Sequence, residues 1–461
     1  MGLRKTPAVR GAAASAAAAL AAVLAIAGCS SSSTTSNSGS TGSTGSGSAP
    51  ASLTVWRMGP STASQVTWMN GVVTQFHKDY PTYASTKVNV VYVPWTSRTT
   101  DWNGALTSGK NAPDITELGN TDTPTEATAG LLANISSNVT SWTSKSDVVT
   151  GMLANDTQSG TVYAVPWFGG VRGVWYRTNQ FTAAGISSPP TTWAQLITDA
   201  QKVQAKFPGT YGIGAPSNDT NAFVSFIWGA GGQVATESNG QWTADLTTPA
   251  DEAAIKFYVS LYRTYHLSPS KYVGQTELGA SGATSGGANE DFGLGKLDIY
   301  IDGPWASSNF PANAVGKTDW ASFPIPSQNG PDPAPAYAGG SDLGVFATSK
   351  YKTAAWDLIQ EMDSETNATS FANLQGFFPP FTSKLTGGTY SSSQLMSGFA
   401  KAASVTQISP LNAKNWPTAD TGQYLIIPTM LKALDNGADF NSTVAKANTE
   451  LENVLNNGTE S

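Results

Sequence analysis

Leu53-Thr-Val-Trp56 and Lys87-Val-Asn-Val-Val-Tyr-Val93 are β-rich runs, and between them Val66, Met69, Val72, Val73 and Phe76 recur at helical spacing. Strand-like and helix-like stretches in alternation predict an α/β fold, and the pattern continues outward from this unit. Thr192-Trp-Ala-Gln195 has the S/T-x-x-Q form of a capping box, and Leu196, Ile197, Ala200 and Val203 extend one apolar face behind it. Thr248-Pro249 pairs a capping residue with proline at the first helical position, opening a helix through Ile255, Tyr258 and Tyr262. Leu297-Asp-Ile-Tyr-Ile301 reads as a buried strand that ends in the turn Asp302-Gly-Pro-Trp305. Glycine, proline and small polar residues mark loops at 274–289 and 327–335. No internal repeat is present.

The chain has 461 residues, more than one ordinary domain holds, so two lobes with separate cores are expected. Only 12% of residues are charged, about half the usual share of roughly 25%, and the formal net charge is −7. A phosphate-tracking nucleic-acid binder needs a basic face, which this composition does not supply. There is one cysteine, so no intrachain disulfide and no cysteine-based zinc site can form. The two histidines, His77 and His266, fall in separate helix-like stretches and are expected to be ordinary packing or surface residues. Neither a metal nor another cofactor is expected. The 14 tryptophans and 15 tyrosines are many for such a chain, and something must bury or use their rings.

At the N-terminus Arg4, Lys5 and Arg10 precede an Ala-rich run from about Ala12 to Ala27 that carries no charge. A basic region followed by an apolar stretch too short to span a bilayer is the pattern of an export signal, expected over residues 1–28. It ends in Ile26-Ala-Gly-Cys29, which resembles the bacterial lipobox, and the chain's single cysteine stands where the lipid would be attached. Loss of the three basic residues with the leader takes the formal net charge from −7 to −10. Between Ser30 and Pro50, 18 of 21 residues are Ser, Thr or Gly, so 29–50 is expected to be a flexible tether. Its root-mean-square reach is about 25 Å, enough to hold a folded body beside a membrane without entering it.

Pro113-Asp-Ile-Thr-Glu-Leu-Gly-Asn-Thr-Asp-Thr-Pro-Thr-Glu-Ala-Thr-Ala-Gly-Leu-Leu-Ala-Asn-Ile135 resembles the first-lobe binding segment of the sugar-binding proteins of ABC transporters, the family that includes maltose-binding protein. Further matches follow in the family's order: Tyr163-Ala-Val-Pro-Trp167 with Val174-Trp-Tyr176, Ser188-Pro-Pro-Thr-Thr-Trp193, Gly231-Gly232, Phe292-Gly-Leu-Gly-Lys296 with Asp302-Gly-Pro-Trp305, and Gly339-Gly340. The resemblance spans roughly Leu53 to Leu455. It implies a two-lobed α/β clamp of the type II periplasmic-binding-protein kind, with a cleft between the lobes and a hinge of crossing segments. The expected N-terminal lobe is 53–166 with 324–378, the C-terminal lobe 167–323 with 379–461, and crossings fall near 165–170, 321–326 and 377–384. Ligand would draw the lobes together, and the closed form would be read by permease subunits. A monomer is expected, lipid-anchored on the extracellular face of the membrane.

Sugar recognition needs aromatic faces against the C–H side of a pyranose and placed polar groups for its hydroxyls. Trp305 matches a family position that stacks on sugar. Tyr424 matches another more loosely, and Trp416, beside Pro417 in a polar stretch, competes for the same role. Trp95 and Trp167 follow prolines at strand ends and are either cleft-facing or packed, whereas Trp193, in a first helical turn, is expected to be structural. For polar contacts Asn120, Thr121 and Asp122 lie in the first-lobe segment, and Asp219 and Asn221 are placed opposite by counting back from Gly231-Gly232. Asp219-Thr-Asn221 also reads as a helix cap or turn. Arg172 is open to two roles, hydroxyl donor or exposed salt bridge. Gly339-Gly340 is either a close approach of backbone to ligand or a plain turn. Gly119-Asn-Thr121 stand where maltose-binding protein has charged or aromatic residues, and Leu118-Gly-Asn-Thr121 is closer to actinomycete lipoproteins that bind chitobiose and related disaccharides.

Two other classes fit parts of this pattern. A secreted glycosidase would also have an aromatic cleft and paired acids, but Glu290/Asp291 and Asp251/Glu252 sit in loops or first helical turns, and neither G-x-S-x-G nor a phosphate loop is present. A sensory or adhesive sugar-binding lipoprotein that engages no permease is the remaining alternative.

Overall fold

A computed structural model describes residues 49–459 apart from 60, 96, 280–285, 386–387 and 422. The signal, Cys29 and most of the tether lie outside the described residues. The folded part is α/β, built on two principal sheets. The first opens with β1 (Ser52–Met58), α1 (Ala63–Asp79) and β2 (Lys87–Val93), then β3 (Ile115–Gly119) and β4 (Ala164–Val171). The second contains β5 (Gly173–Arg177), β6 (Tyr211–Gly214), β7 (Leu297–Asp302) and β8 (Trp320–Phe323). The chain then returns to the first sheet with β9 (Ala336–Val345) and the short β10 (Thr406–Gln407).

β1 runs parallel to β2 and β3, while β9 pairs antiparallel to both β3 and β4. In the second sheet β7 is parallel to β6 and antiparallel to β5, which also pairs with β8. Val55 and Leu53 of β1 are fully buried, and Met69, Val72 and Phe76 are buried on the inward face of α1. Thr62 caps α1 with the reciprocal bonds of a capping box, and Thr192 does the same for α2 (Trp193–Lys206). Thr248 caps the helix Pro249–Arg263, as its sequence signal predicts. The second lobe has its own core, in which Phe223 and Phe226 of α3 (Thr220–Gly229) meet Tyr258, Leu261 and Ile299.

The passage from first to second sheet falls at Arg172 rather than within 165–170. β4 keeps pairing with β9 as far as Val171↔Ala338, so residues 167–171 stay in the first sheet. The return comes after residue 335, not at 324. Residues 324–335 remain against the second lobe, where Ser327 bridges to Thr192 and the Gln328 amide donates to the Gly229 carbonyl at 3.0 Å. After Phe377, the amide of Val149 bonds the Pro380 carbonyl and Val148 bridges Phe381, so 380–381 pack on the first lobe.

Candidate functional site

The carboxyl ends of β1, β3 and β7 open toward one another, the place where open α/β sheets put ligands. A cavity of about 490 Å³ lies there, lined by residues of both lobes. From the first lobe come Arg57 and Met58 at the end of β1, Glu117 of β3, Phe168 of β4, Gly339-Gly340-Ser341 of β9, and Phe371 with Gln375 of α4 (Glu365–Gln375). Arg172, Asn221, Trp305, Ser308 and Asn309 form the facing wall, and Trp95, 39% exposed, stands at the rim.

Trp305 owes its position to the turn that ends β7. Asp302 Oδ1 accepts from the Gly303 amide at 2.7 Å, and Trp175 Nε1 bonds the Gly303 carbonyl at 2.9 Å. The indole then lies back over glycine: a Cβ at Gly170 would fall 2.4 Å from Trp305 Cζ3, and one at Gly303 would fall 2.1 Å from it. Its ring stacks on Phe377 with centroids 5.4 Å apart and planes at 26°, so a second-lobe aromatic touches the first-lobe side of the cleft. Gly340 lies in β9 and packs closely on the backbone of β4, since a Cβ there would meet the Phe168 carbonyl oxygen at 2.5 Å.

Behind Trp305 sits Arg172, 5% exposed, its guanidinium carbon 5.6 Å from the indole centroid. Nη1 bonds Asp302, Nη2 stands 3.4 Å from Asp219 Oδ1, and Nε is buried without a partner among the described residues. Burial works against the arginine's charge, but Asp219 and Asp302 outweigh it and hold the group firmly ionised. Burial raises Asp219, with Arg172 pulling it back and Asp302 adding to the rise; the half-buried Glu277 is raised by burial and by Asp219. Asp420, bonded by Thr220 at 2.7 Å, is pushed up to about 7 by burial. Behind the facing wall Arg172 is thus one cation beside several buried acids, of which Asp219, Glu277 and Asp420 are raised by burial.

The sequence candidates separate into two sets. Trp305, Trp95, Asn221, Gly339, Gly340 and Arg172 meet at the cavity. The others do not line it. Trp167 is fully buried, stacked on Phe371 at 4.4 Å, because the alternation of β4 gives its neighbour Phe168 to the cleft. Trp416 is 2% exposed in the second-lobe core beside Leu411, Ala413 and Ala419, and Tyr424 packs against the same core. Asn120 is spent on holding β3 to β9: its amide bonds the Gly340 carbonyl at 3.1 Å and its Nδ2 the Ala338 carbonyl at 2.7 Å. Thr121 is half-buried beside Tyr337. Asp122 is clasped by Arg98 through bonds of 2.7 and 2.8 Å. Asp219 caps α3, accepting from the Ala222 amide at 3.2 Å while it pairs with Arg172. Trp193 is buried, donating to the Pro326 carbonyl at 3.0 Å.

Arg57, Glu117, Tyr337 and Phe377 were not singled out by the sequence. For the first two a signal exists: each is a lone charge inside a strand that is otherwise apolar or small. Among the described residues no cluster of His, Cys, Asp or Glu could hold a metal ion, and no helix is long and apolar enough to cross a membrane.

Two α/β lobes joined by crossing strands, with an aromatic and polar cavity at their facing ends, define a two-lobed solute-binding protein. The family model described as bacterial extracellular solute-binding protein matches residues 59–369, and the chain belongs to that family. It is a binding protein, not an enzyme. Diacetylchitobiose binding protein DasA of Streptomyces coelicolor is 27% identical over 338 residues, 72% of this chain and 74% of that protein. The mannitol-binding protein of Pseudomonas aeruginosa is 26% identical over 280 residues, 58% of this chain and 59% of its own length. Among solved structures, maltose-bound MalE3 of T. maritima aligns with a TM-score of 0.73 at 20% identity, covering 87% of this chain and 99% of that one. The GacH receptor of Streptomyces glaucescens, solved unliganded and with acarbose, aligns with a TM-score of 0.73 at 20% identity over 89% and 100% of the two chains.

Proposed function

We propose that the chain captures a neutral sugar of disaccharide or short oligosaccharide length between its lobes and delivers it to an ABC-transporter permease, while a lipid on Cys29 holds it to the outer face of the membrane. The observation that carries the reading is the placement of Trp305: an aromatic plane at the cavity, backed by Gly170 and Phe377, with hydrogen-bonding groups on both sides. That combination suits a pyranose, which is apolar on its C–H face and polar around its edge. The relatives' names support a sugar or sugar alcohol, and DasA favours a chitobiose-like disaccharide. Asn221, Trp95 and the Gly339-Gly340 backbone are proposed as further contacts.

The lobes are proposed as the two units that close on the ligand as a monomer, with the hinge at Arg172 and at the segments near 324–335 and 377–381. Thermal-shift measurements against mono- and disaccharides test the reading, because a ligand that binds only the folded form stabilises it by about 2.7 kcal/mol at one hundred times its Kd. A rise in melting temperature with one or a few neutral sugars, unaffected by chelator, is expected. No shift with any sugar at millimolar concentration overturns the proposal.

A further inference from the structure

Arg57 is the last but one residue of β1 and is 4% exposed, yet its side chain forms part of the cavity wall. Nη1 donates to Glu117 Oε2, an oxygen that also accepts the Met58 amide at 2.7 Å. The guanidinium carbon lies 4.3 Å from the Trp167 ring centroid and 4.7 Å from that of Phe371. Those rings are stacked on each other with planes 14° apart. The arginine is therefore fixed twice, by a buried carboxylate and by a rigid aromatic surface, and both fixings leave its Nε and Nη2 without a protein partner among the described residues. Neither nitrogen is among the fully buried polar atoms that lack a partner, so both keep some exposed surface, and the residue that carries them lines the cavity. Arg172 across the cleft differs, because its Nε is sealed off and its other nitrogens face Asp219 and Asp302.

A guanidinium presents Nε–H and one Nη–H as a parallel fork, suited to two neighbouring acceptor oxygens. Glu117 has already balanced the charge, so an incoming carboxylate would meet a neutral pair, whereas neutral oxygens would complete the unused donors. Resting on the sugar reading above, we infer that Arg57 is a ligand-contacting, specificity-determining residue that donates from its Nε and Nη2 edge to two adjacent oxygens of the sugar, and that Glu117 is its positioning residue.

Monodeoxy analogues of whichever sugar binds best, titrated calorimetrically into the full chain, give the test. For the unmodified protein, removal of either oxygen of one adjacent pair costs more than tenfold in Kd, because a buried donor is left unsatisfied. Arg57→Lys keeps the charge but lacks the fork, and the double change Arg57→Leu with Glu117→Leu removes both ions without stranding one. In either folded variant the parent sugar weakens and the penalty for those two deoxy analogues collapses to less than twofold. Wild-type deoxy penalties that persist in Arg57→Lys or the double variant overturn the inference alone, as does a wild-type profile in which no adjacent pair of oxygens matters. Failure of the wild-type protein to bind any sugar overturns it together with the reading beneath it.

Discussion

Gly170→Ala adds one methyl group at a residue whose backbone any amino acid can adopt, and the structure says where it lands. The new Cβ would lie 2.4 Å from Trp305 Cζ3, 2.8 Å from its Cε3 and 3.1 Å from Phe377 Cδ1. Carbon atoms rest at about 3.5–4.0 Å, so the indole must retreat by roughly 1 Å or more. Gly170 pairs with Gly339 in the β4–β9 ladder, which leaves the strand little freedom to move instead. Overpacking of this kind costs about 1–3 kcal/mol, and a disturbed Trp305–Phe377 stack forfeits part of about 0.5–1.5 kcal/mol. The melting temperature is expected to fall by a few degrees. Sugar affinity is expected to fall about tenfold, the equivalent of about 1.4 kcal/mol, although residue 170 itself need not touch ligand. Calorimetry and thermal melts on Gly170→Ala, Trp305→Ala and the double variant form a cycle. With the indole gone the methyl group has room, so the stability cost of Gly170→Ala should nearly vanish in the Trp305→Ala background. A fully additive cycle, or Gly170→Ala with wild-type affinity and stability, refutes this placement of the ring.

The remaining expectations concern charge, core and anchor. Asp420 is raised by burial to about 7, and burial raises Asp342, Asp156 and Asp363 as well, with Asp342 the charged neighbour that adds to the rise at the last two. A carboxyl raised in the folded state binds its proton more tightly there, so these groups cost no stability below their unfolded pKa near 4 and cost increasingly more as pH rises toward 7. Thermal melts should therefore show higher stability at pH 5.5 than at pH 8, and Asp420→Asn should flatten that slope; a stability that climbs from pH 5.5 to 8 contradicts it. Trp416→Ala removes a ring from the second-lobe core, at a cost of about 3–5 kcal/mol, and should leave the affinity of the surviving folded protein within twofold. Cys29→Ser should abolish lipid attachment, read by mass and detergent partitioning; a variant that still carries the added mass of a lipid and partitions as the wild type does refutes Cys29 as the attachment site.

Local signals were the readable part of the fold. The apolar rhythm of Val66 to Phe76 is enough to place α1, and Thr192 and Thr248 announce their helices through side-chain chemistry that acts within three residues. The end of β7 is equally plain, because Leu297–Trp305 holds a strand, a turn and a ring within nine positions. What sequence could not settle was which way a residue faces when both sides of its strand are covered. β4 is buried almost throughout, so Trp167 and Phe168 look alike until the partner layers are known, and of the two roles open to Trp167 the structure gives it the packed one. Trp416 misled for a related reason: its neighbours are polar, and only the packing of Leu411 and Ala419 around it makes a core. Arg57 and Glu117 come together across β1 and β3 from 60 residues apart, a pairing that no local pattern encodes.

Whether a sugar sits on Trp305 between the lobes is decided by one calorimetric comparison. Chitobiose, cellobiose and maltose are titrated into the wild-type protein and into Trp305→Ala. Saturable one-to-one binding of at least one of them to the wild type is expected, with a loss of more than tenfold in affinity for each such sugar in the variant, which is still folded by its thermal melt. Sugar binding that survives at full strength in Trp305→Ala would contradict it, since the ring would then be a packing element and the ligand would lie elsewhere.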